Sequence, residues 1–297
     1  CGRCNMKKIL LLSAMCVFAF CASAQLLWRV SGNGAMKDSY IFGTHHFAPA
    51  SMIDSIVGLR DAIACCDTIY GEVCSDELLD PMAQQAMAVM MMAPADSTLT
   101  MILSPAQQDS VNSVLGKYTK GQLSLAQLAM LKPAGLATQL AVLQALEAFP
   151  GFDPLTQLDV TVQKIAKELG KPNRGFETLL WQSELLFGDP IKEQLAALMD
   201  AIAKDDRAAE FAQRLAAAYL KQDLSALNAL LTDPEMGMTG KDLDKMINER
   251  NIAWSKILIG LLPTSAILVC VGAGHLPGEN GLINLLRSAG FNVTPVD

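Results

Sequence analysis

The last 33 residues constrain the fold more than any other segment of the chain. An apolar run at residues 265–271 (SAILVCV) precedes a glycine-rich loop (GAGHLPG), a short helical stretch at 281–288 and a final strand-like run at 291–296. Strand, loop, helix and strand in this order predict a right-handed parallel crossover in a sheet that is covered on both faces. Ligands of such sheets bind beyond the carboxyl ends of the strands, where His275 of the loop would lie.

The amino-terminal part predicts further strands of the same sheet. Short apolar and aromatic runs at 26–30 and 39–42 flank SGNG, which is the composition of a β-hairpin. The run TIYGEV at 68–73 predicts a buried strand, and residues 174–176 predict a short one.

Most of the remaining chain has the pattern of helices. It is rich in Ala, Leu, Gln and Met, and glycine and proline break it at intervals. We therefore predict a mixed α/β fold, a single domain over residues 25–297. Its central, largely parallel sheet is formed by the amino- and carboxyl-terminal segments, and a large helical insertion (about 78–262) lies between them.

The first 24 residues have the pattern of a secretory signal peptide. Lys7 and Lys8 precede an apolar run at 9–20, and Ala22-Ser23-Ala24 forms the small-x-small site of signal peptidase. The run is shorter than the roughly 20 residues that span a bilayer, which argues against an uncleaved anchor. No second run of spanning length follows. We expect an exported protein, either periplasmic or secreted.

The charge balance argues against a nucleic-acid partner. The formal net charge is −7, and residues 25–297 carry 20 basic against 30 acidic residues, because three basic residues lie in the leader. Binding to phosphates needs clustered Lys and Arg, and the sequence has no such cluster.

Four cysteines, Cys65, Cys66, Cys74 and Cys270, follow the leader. Export permits disulfides, but four cysteines in a chain of this length do not make a disulfide scaffold. We favour buried free thiols, and the alternative is a disulfide such as Cys74 with Cys270.

All three histidines of the chain lie in glycine-rich turns that follow predicted strands. Gly43-Thr44-His45-His46 ends one strand, and Gly272-Ala273-Gly274-His275 ends another. Neutral imidazole is the commonest protein ligand of transition metals, and glycine lets the backbone turn sharply. His46 and His275 are therefore candidate metal ligands; the alternative is that they cap the sheet by hydrogen bonding. Since adjacent residues of extended chain point apart, we expect His45 beside the site or on the surface.

Two glutamates at predicted strand ends are candidates to complete the site. Glu72 lies within TIYGEV, where an unpaired carboxylate is costly to bury, and Glu177 begins the helix after the strand at 174–176. Two histidines with one or two carboxylates suit zinc, manganese or iron, and a carboxylate that does not bind metal can act as general base. The alternatives are a solvated strand end for Glu72 and a helix N-terminal carboxylate for Glu177.

Two further features each have more than one interpretation. Arg250 pairs with a carboxylate of the site, anchors a substrate carboxylate, or forms a plain surface salt bridge. Met87, Met90, Met91 and Met92 predict soft core packing, and the alternative is a flexible groove for an apolar peptide.

Several familiar motifs are absent from the sequence. It has no H-E-x-x-H, no G-x-S-x-G and no P-loop. The loop GAGHLPG departs from the dinucleotide fingerprint, because its third glycine comes one residue late and no acidic residue follows in a second strand. Cys270 lies in an apolar strand, where a thiol is inert, which argues against a cysteine protease.

Six segments, LLWRVSG, YIFGTHHFAP, YGEV, GKPNRGFET, ERNIAW and VGAGHLPGENGLINLLRSAGFNVTPV, occur together in this chain. With them it resembles the TraB/GumN family from residue 26 to residue 296. That family is related to the Tiki proteins, which are regarded as metal-dependent proteases with two G-x-x-H motifs and a glutamate. The resemblance implies His46, His275 and Glu72 as metal ligands or catalytic groups, and it places Glu177 and Arg250 at family-typical positions. It also implies a divalent metal ion, such as zinc, manganese or cobalt.

The expected function is a metal-dependent hydrolase, specifically a peptidase acting on exported peptides or proteins. The alternative is a non-catalytic protein that binds a peptide or a haem-like ligand in the same crevice. The first hypothesis requires that His46, His275 and Glu72 lie side by side at one edge of the sheet.

Overall fold

The structure, a computed structural model, describes residues 25–153, 156–238 and 240–296. The predicted signal peptide at 1–24 lies outside the described residues. Within them, no helix is both long and apolar enough to cross a membrane.

A six-stranded mixed sheet forms the centre of the protein. Its strands are β1 (Leu27–Ser31), β2 (Ser39–Thr44), β3 (Thr68–Val73), β4 (Asn173–Glu177), β5 (Ile267–Gly272) and β6 (Asn292–Pro295). Their order across the sheet is β4-β3-β5-β2-β1-β6. The pairs β2–β5, β3–β5 and β3–β4 are parallel, and β1 is antiparallel to both of its neighbours. The predicted α/β fold with a largely parallel sheet is therefore confirmed.

Helices cover the sheet and extend it into a helical layer. In chain order they are α1 (Leu59–Cys65), α2 (Ser75–Leu78), α3 (Pro81–Met91), α4 (Leu99–Ile102), α5 (Pro105–Thr119), α6 (Pro133–Ala148), α7 (Leu158–Glu168), α8 (Leu179–Phe187), α9 (Ile191–Ala203), α10 (Asp205–Leu220), α11 (Leu224–Leu231), α12 (Gly240–Leu243), α13 (Glu249–Leu261) and α14 (Leu282–Ser288). Short 3-10 turns lie at Ala50–Ser55, Leu125–Leu128 and Ala273–His275, and a π-helical turn, Asp244–Asn248, joins α12 to α13.

The carboxyl-terminal unit has the predicted strand, helix and strand, but its two strands are not neighbours. The chain passes from β5 through α14 to the far edge of the sheet, where β6 pairs with β1. β6 still runs parallel to β5, because β1 is antiparallel to β6 and to β2, and β2 is parallel to β5. The β1–β2 hairpin therefore lies between the two strands of the unit, where its apolar side chains are buried on both faces.

The helices α7 and α13 cover opposite faces of the sheet. Gly71 of β3 leaves room for Gln163 of α7, whereas Tyr70, the residue before it, contacts the ring of Phe176. Phe176 in turn stacks on Trp254 of α13, with ring centroids 5.2 Å apart. Successive residues of a strand point to opposite faces, so the two helices sandwich β3 and β4 between them.

The helical layer has an apolar core of its own. Buried side chains from α4, α5, α6 and α9 form a cluster separate from the one around the sheet, with Leu99, Val111, Leu115, Leu136 and Leu198 among its members. This second cluster stabilises the helical layer independently of the core around the sheet.

The methionine cluster of α3 does not pack in a core. No residue of α3 is buried, and Met92, which follows it, is exposed. The prediction of core packing is wrong here, because α3 lies on the outside of the helical layer against α8. The methionines that line the main crevice are Met238 and Met246.

The four described cysteines are free thiols. Cys66 and Cys270 are buried, Cys74 is half-buried, and Cys65 at the end of α1 is exposed, which the prediction of buried thiols missed. Burial raises the pKa of Cys66 and of Cys270 above the ordinary thiol value, which makes both less reactive.

We expect iodoacetamide to label Cys65 in the native protein, and Cys66 and Cys270 only after denaturation. Peptide mass spectrometry before and after addition of guanidinium measures this directly. A thiol titration of the denatured chain without residues 1–24 should find four free thiols; a count of two would show that a disulfide forms.

Candidate functional site

A crevice of about 400 Å³ lies at the carboxyl edge of the sheet, under the helical layer. The ends of β2, β3 and β5 form its polar floor, with His46, Glu72 and His275, and Arg250 of α13 lies beside them. Apolar side chains of α8, α10 and α11 form the opposite wall. The structure thus brings four of the five residues singled out in the sequence to one cavity, and the fifth, Glu177, lies against Arg250.

The two G-x-x-H motifs pack against each other because glycine leaves room at their first positions. β2 and β5 are adjacent, and a Cβ on Gly43 would come within 3.0 Å of the backbone of Ala273. A Cβ on Gly272 would lie 3.3 Å from Glu72 Oε1, which the Gly272 N–H contacts at 2.9 Å. Each glycine therefore allows a close approach that places a histidine and a carboxylate at the same edge.

His275 is held in one tautomer by Asn251. The Asn251 side-chain amide donates to the carbonyl oxygens of His275 and Asn280, which leaves its Oδ1 to accept from His275 Nδ1 at 2.7 Å. The proton therefore lies on Nδ1, and Nε2 accepts from Arg250 Nη1 at 3.3 Å, with Glu72 Oε1 3.7 Å away. Burial lowers the pKa of His275 to about 4, although Glu72 opposes the shift, so the ring is neutral near pH 7.

His46 is oriented by Asp159, a residue the sequence did not single out. His46 Nδ1 lies 3.5 Å from Asp159 Oδ2 at the start of α7, and 56% of its side chain is exposed at the rim of the crevice. The hydrogen bond to Asp159 raises the pKa of His46, and the carboxylate charge adds to the shift. Nδ1 of each motif histidine therefore faces an oxygen atom, at 2.7 Å in His275 and at 3.5 Å in His46.

Arg250 joins the two glutamates into one buried ion network. Its Nε and Nη2 donate to the two oxygens of Glu177 at 2.9 and 2.8 Å, a bidentate pair, and Nη2 also donates to Glu72 at 2.6 Å. Gln182 bridges the same two carboxylates through its amide. The Arg250 side chain is 6% exposed, so the surface salt bridge considered from the sequence is wrong.

Neighbouring cationic groups keep Glu72 ionised. Burial alone would raise the pKa of Glu72, but the charges of His275, Arg250 and His46 outweigh it and lower the pKa to about 2. Glu72 is a permanent carboxylate rather than the solvated strand end that the sequence allowed. Glu177 accepts from Arg250, Gln182 and Trp254, so its oxygens serve to hold Arg250.

The π-helical turn sets the position of these α13 groups. A π turn inserts one extra residue into a helix, and such turns are frequent at functional sites. Here the turn ends at Asn248, just before Arg250 and Asn251, and Arg250 Nη1 donates back to the carbonyl of Met246 in the turn. Trp254, one helical turn later, lies under the guanidinium at 4.7 Å and against the His275 ring at 4.5 Å.

Sequence reasoning missed Asp159, Gln182, Asn251 and Trp254. The segment ERNIAW carried a usable signal, because Arg250 and Trp254 are four residues apart and must share one face of a helix. Asp159 and Gln182 gave no such signal, since each lies in a helix whose packing direction only the tertiary fold reveals.

His45 lies outside the ion network. Its ring packs against Phe149 and Tyr219, with centroids 4.6 and 5.3 Å away, and its Nδ1 accepts from the backbone N–H of Phe47. It is half-buried in an aromatic group at the rim of the crevice rather than on the surface.

The donor chemistry of the crevice fits a divalent cation, although the described residues contain no group of three or more His, Cys, Asp or Glu already arranged around a common point. A 3.7 Å separation between His275 Nε2 and Glu72 Oε1 lets both bind one ion at about 2.0–2.2 Å. Two buried oxygens near His46, Thr44 Oγ1 and Asp159 Oδ1, have no hydrogen-bond partner among the described residues.

Comparison with known families decides the family of the chain. The model of the TraB/PrgY/gumN family matches residues 26–295. The chain belongs to the TraB/PrgY/gumN family. That match spans the whole sheet and every residue of the site, which confirms the resemblance seen in the sequence. No curated protein and no solved structure matches the chain significantly.

The ion network of this TraB/PrgY/gumN protein should be essential to its stability. We expect Arg250→Met to lower the free energy of unfolding by about 3–5 kcal/mol, because two buried carboxylates lose their cation. Urea denaturation followed by circular dichroism measures the loss.

The matched control is Arg60→Met, which breaks the exposed pair of Arg60 with Asp54. It should leave the unfolding midpoint unchanged, since exposed ion pairs contribute little. Equal midpoints for the two variants would contradict a structural role for the network.

Proposed function

We propose that the protein is a metal-dependent hydrolase that acts on peptides outside the cytoplasm. The observation that carries the proposal is the orientation of the two motif histidines. Metal-binding histidines almost always donate their second ring N–H to an oxygen acceptor, which fixes the tautomer and aims the other nitrogen at the ion. His275 has such an acceptor at Nδ1, the side-chain oxygen of Asn251 at 2.7 Å, and Asp159 Oδ2 lies 3.5 Å from Nδ1 of His46.

The residues around the crevice would have two roles, which are to bind the ion and to orient the side chains that bind it. His46, His275 and Glu72 would hold the ion, and its chemistry would be to polarise a substrate carbonyl and to lower the pKa of a water molecule. Glu72 supplies an ionised oxygen on the side of His275. Two carboxylates, Glu72 and Glu177, surround a single guanidinium, and a third, Asp159, lies beside His46, so the local field favours a cation.

Arg250 is the group of this chain that is best placed to bind an anionic oxygen. Its Nε and Nη2 are used by the glutamates, whereas Nη1 contacts the Met246 carbonyl and, at 3.3 Å, His275 Nε2. That last contact is the one that a ligand of His275 would replace. Nη1 would then be free to donate to a substrate oxygen. Glu177 positions Arg250 and does not act as general base.

The wall of the crevice supports a peptide rather than a highly charged substrate. Leu185, Leu215, Leu227 and Leu231 line it, together with Met and Ile side chains. An apolar wall opposite a few convergent polar groups is the usual form of a small-ligand site. The same wall would also serve a non-catalytic peptide-binding protein, which is the second candidate.

A metal assay tests the proposal. Purified protein lacking residues 1–24 should retain about one divalent ion per chain after dialysis, because three ligands bind a transition metal tightly. His46→Ala and His275→Ala should each retain less than a tenth of it, measured by inductively coupled plasma mass spectrometry. His45→Phe is the matched control and should retain its ion.

Two outcomes would count against the hydrolase. If wild type holds no more metal than the double variant His46→Ala/His275→Ala, the assignment fails. If it holds metal but cleaves no member of a peptide library, the peptide-binding alternative is favoured.

Asn251 provides a second test, because it acts through His275. Asn251→Leu should weaken metal binding by about 10–100-fold, since the ring loses the acceptor that orients it. Asn251→Asp keeps an acceptor oxygen and should restore most of the affinity, measured by competition with a fluorescent chelator. If both variants lose affinity equally, Asn251 stabilises the fold but does not orient the ligand.

A further inference from the structure

A second cavity opens directly beside the crevice. It has a volume of about 240 Å³ and lies between α6, α10 and the turn that follows β2. Three residues, His45, Phe47 and Leu215, line both cavities and so form their common wall. A ligand held over the ion network therefore has a neighbouring space within reach.

The sequence of the two helices explains why this space exists. Ala141 and Ala145 of α6 and Ala208 and Ala212 of α10 all line it, and within each helix the two alanines are one turn apart. Small side chains at facing positions leave a gap between helices that larger ones would fill. Aromatic rings, including that of Phe211, close its sides.

The lining of this cavity is uncharged. Among the described residues that form it there is no Asp, Glu, Lys or Arg, and the amide of its one Gln, Gln144, donates to Asp205. The ring of His45 packs against Phe149 and Tyr219, and its Nδ1 accepts from the backbone N–H of Phe47. His45 thus contributes an aromatic surface, and a charged ligand group would be poorly solvated here.

A third cavity lies on the other side of the crevice and has a different character. Its volume is about 250 Å³, and it shares Leu231, Met238 and Ile247 with the crevice. Asn228, Glu279 and other polar residues line the rest of it. The crevice therefore lies between two neighbouring cavities, which fits an extended chain better than a compact ligand.

We propose that the cavity between α6 and α10, the side-chain pocket, binds a large apolar side chain of the peptide whose bond is hydrolysed in the crevice. The pocket selects residues such as Leu, Met or Phe at one position close to that bond. His45 is then a specificity-determining residue, and this assignment explains a histidine that has no part in the ion network. The proposal rests on the proposed function, because it names the substrate class of the same site.

A peptide library with one randomised position at a time tests the pocket. Wild type should prefer a large apolar residue at one position near the cleaved bond. Ala212→Trp fills the pocket and should lower kcat/KM for Phe relative to Ala at that position by roughly tenfold, the size of effect expected from altered pocket volume. Ala208→Phe, one turn earlier, is a second filling variant in case the first does not fold.

The matched control is Ala217→Trp, which adds the same side chain to α10 at an exposed position away from this pocket. It should leave the preference unchanged. Unchanged preference in both filling variants, with normal metal content, would overturn the side-chain pocket while leaving the hydrolase intact.

A binding experiment separates the two proposals. The uncharged fluorophore N-phenyl-1-naphthylamine should bind wild type and Ala217→Trp equally and Ala212→Trp roughly tenfold more weakly. If no peptide is cleaved, the hydrolase assignment falls, and the fluorophore alone decides the pocket: equal affinity for all three proteins overturns it.

Discussion

The guanidinium of Arg250, held between Glu177 and Glu72, is the interaction on which the carboxyl edge of the sheet depends. It joins the ends of β3 and β4 to α13, three elements that lie far apart in the chain. Removing charges from water is costly, and only complete hydrogen bonding repays that cost. Gln182 and Trp254 supply the remaining donors, so the network is closed. In effect the protein carries a resident cation that keeps acidic side chains folded together whether or not a metal ion is bound.

With this arrangement, the site can fold before the proposed metal ion binds. A site of bare carboxylates and histidines would repel itself in the absence of metal, whereas here the guanidinium offsets the acidic charge in advance. The same cation would limit how strongly the proposed divalent ion is attracted, since like charges a few ångströms apart raise each other's energy. Under the proposed function, Arg250 would therefore stabilise the folded site and weaken its affinity for the ion.

Much of this site could be predicted from the sequence, because its polar groups lie at strand ends. His46, His275 and Glu72 each follow an apolar run, and parallel strands bring their carboxyl ends to one edge. The position of β6 beyond the hairpin could not be read from the pattern, since strand order is decided by which faces are buried. Asp159 and Asn251 could not be predicted as site residues either. Each contacts a histidine, and only the packing of α7 and α13 on opposite faces of the sheet brings it near that histidine. The side-chain pocket could not be predicted either, because it is lined by alanines of two different helices, and the alanines of either helix alone do not indicate a cavity.

The contact between Gly272 N–H and Glu72 spans 200 residues of chain. During synthesis, β2 and β3 leave the ribosome early. The polar groups at the ends of these strands have no partners from β5 until that strand has been made. Closing so long a loop is entropically costly and slow. The polar groups of the site are consequently brought together only when the chain is nearly complete.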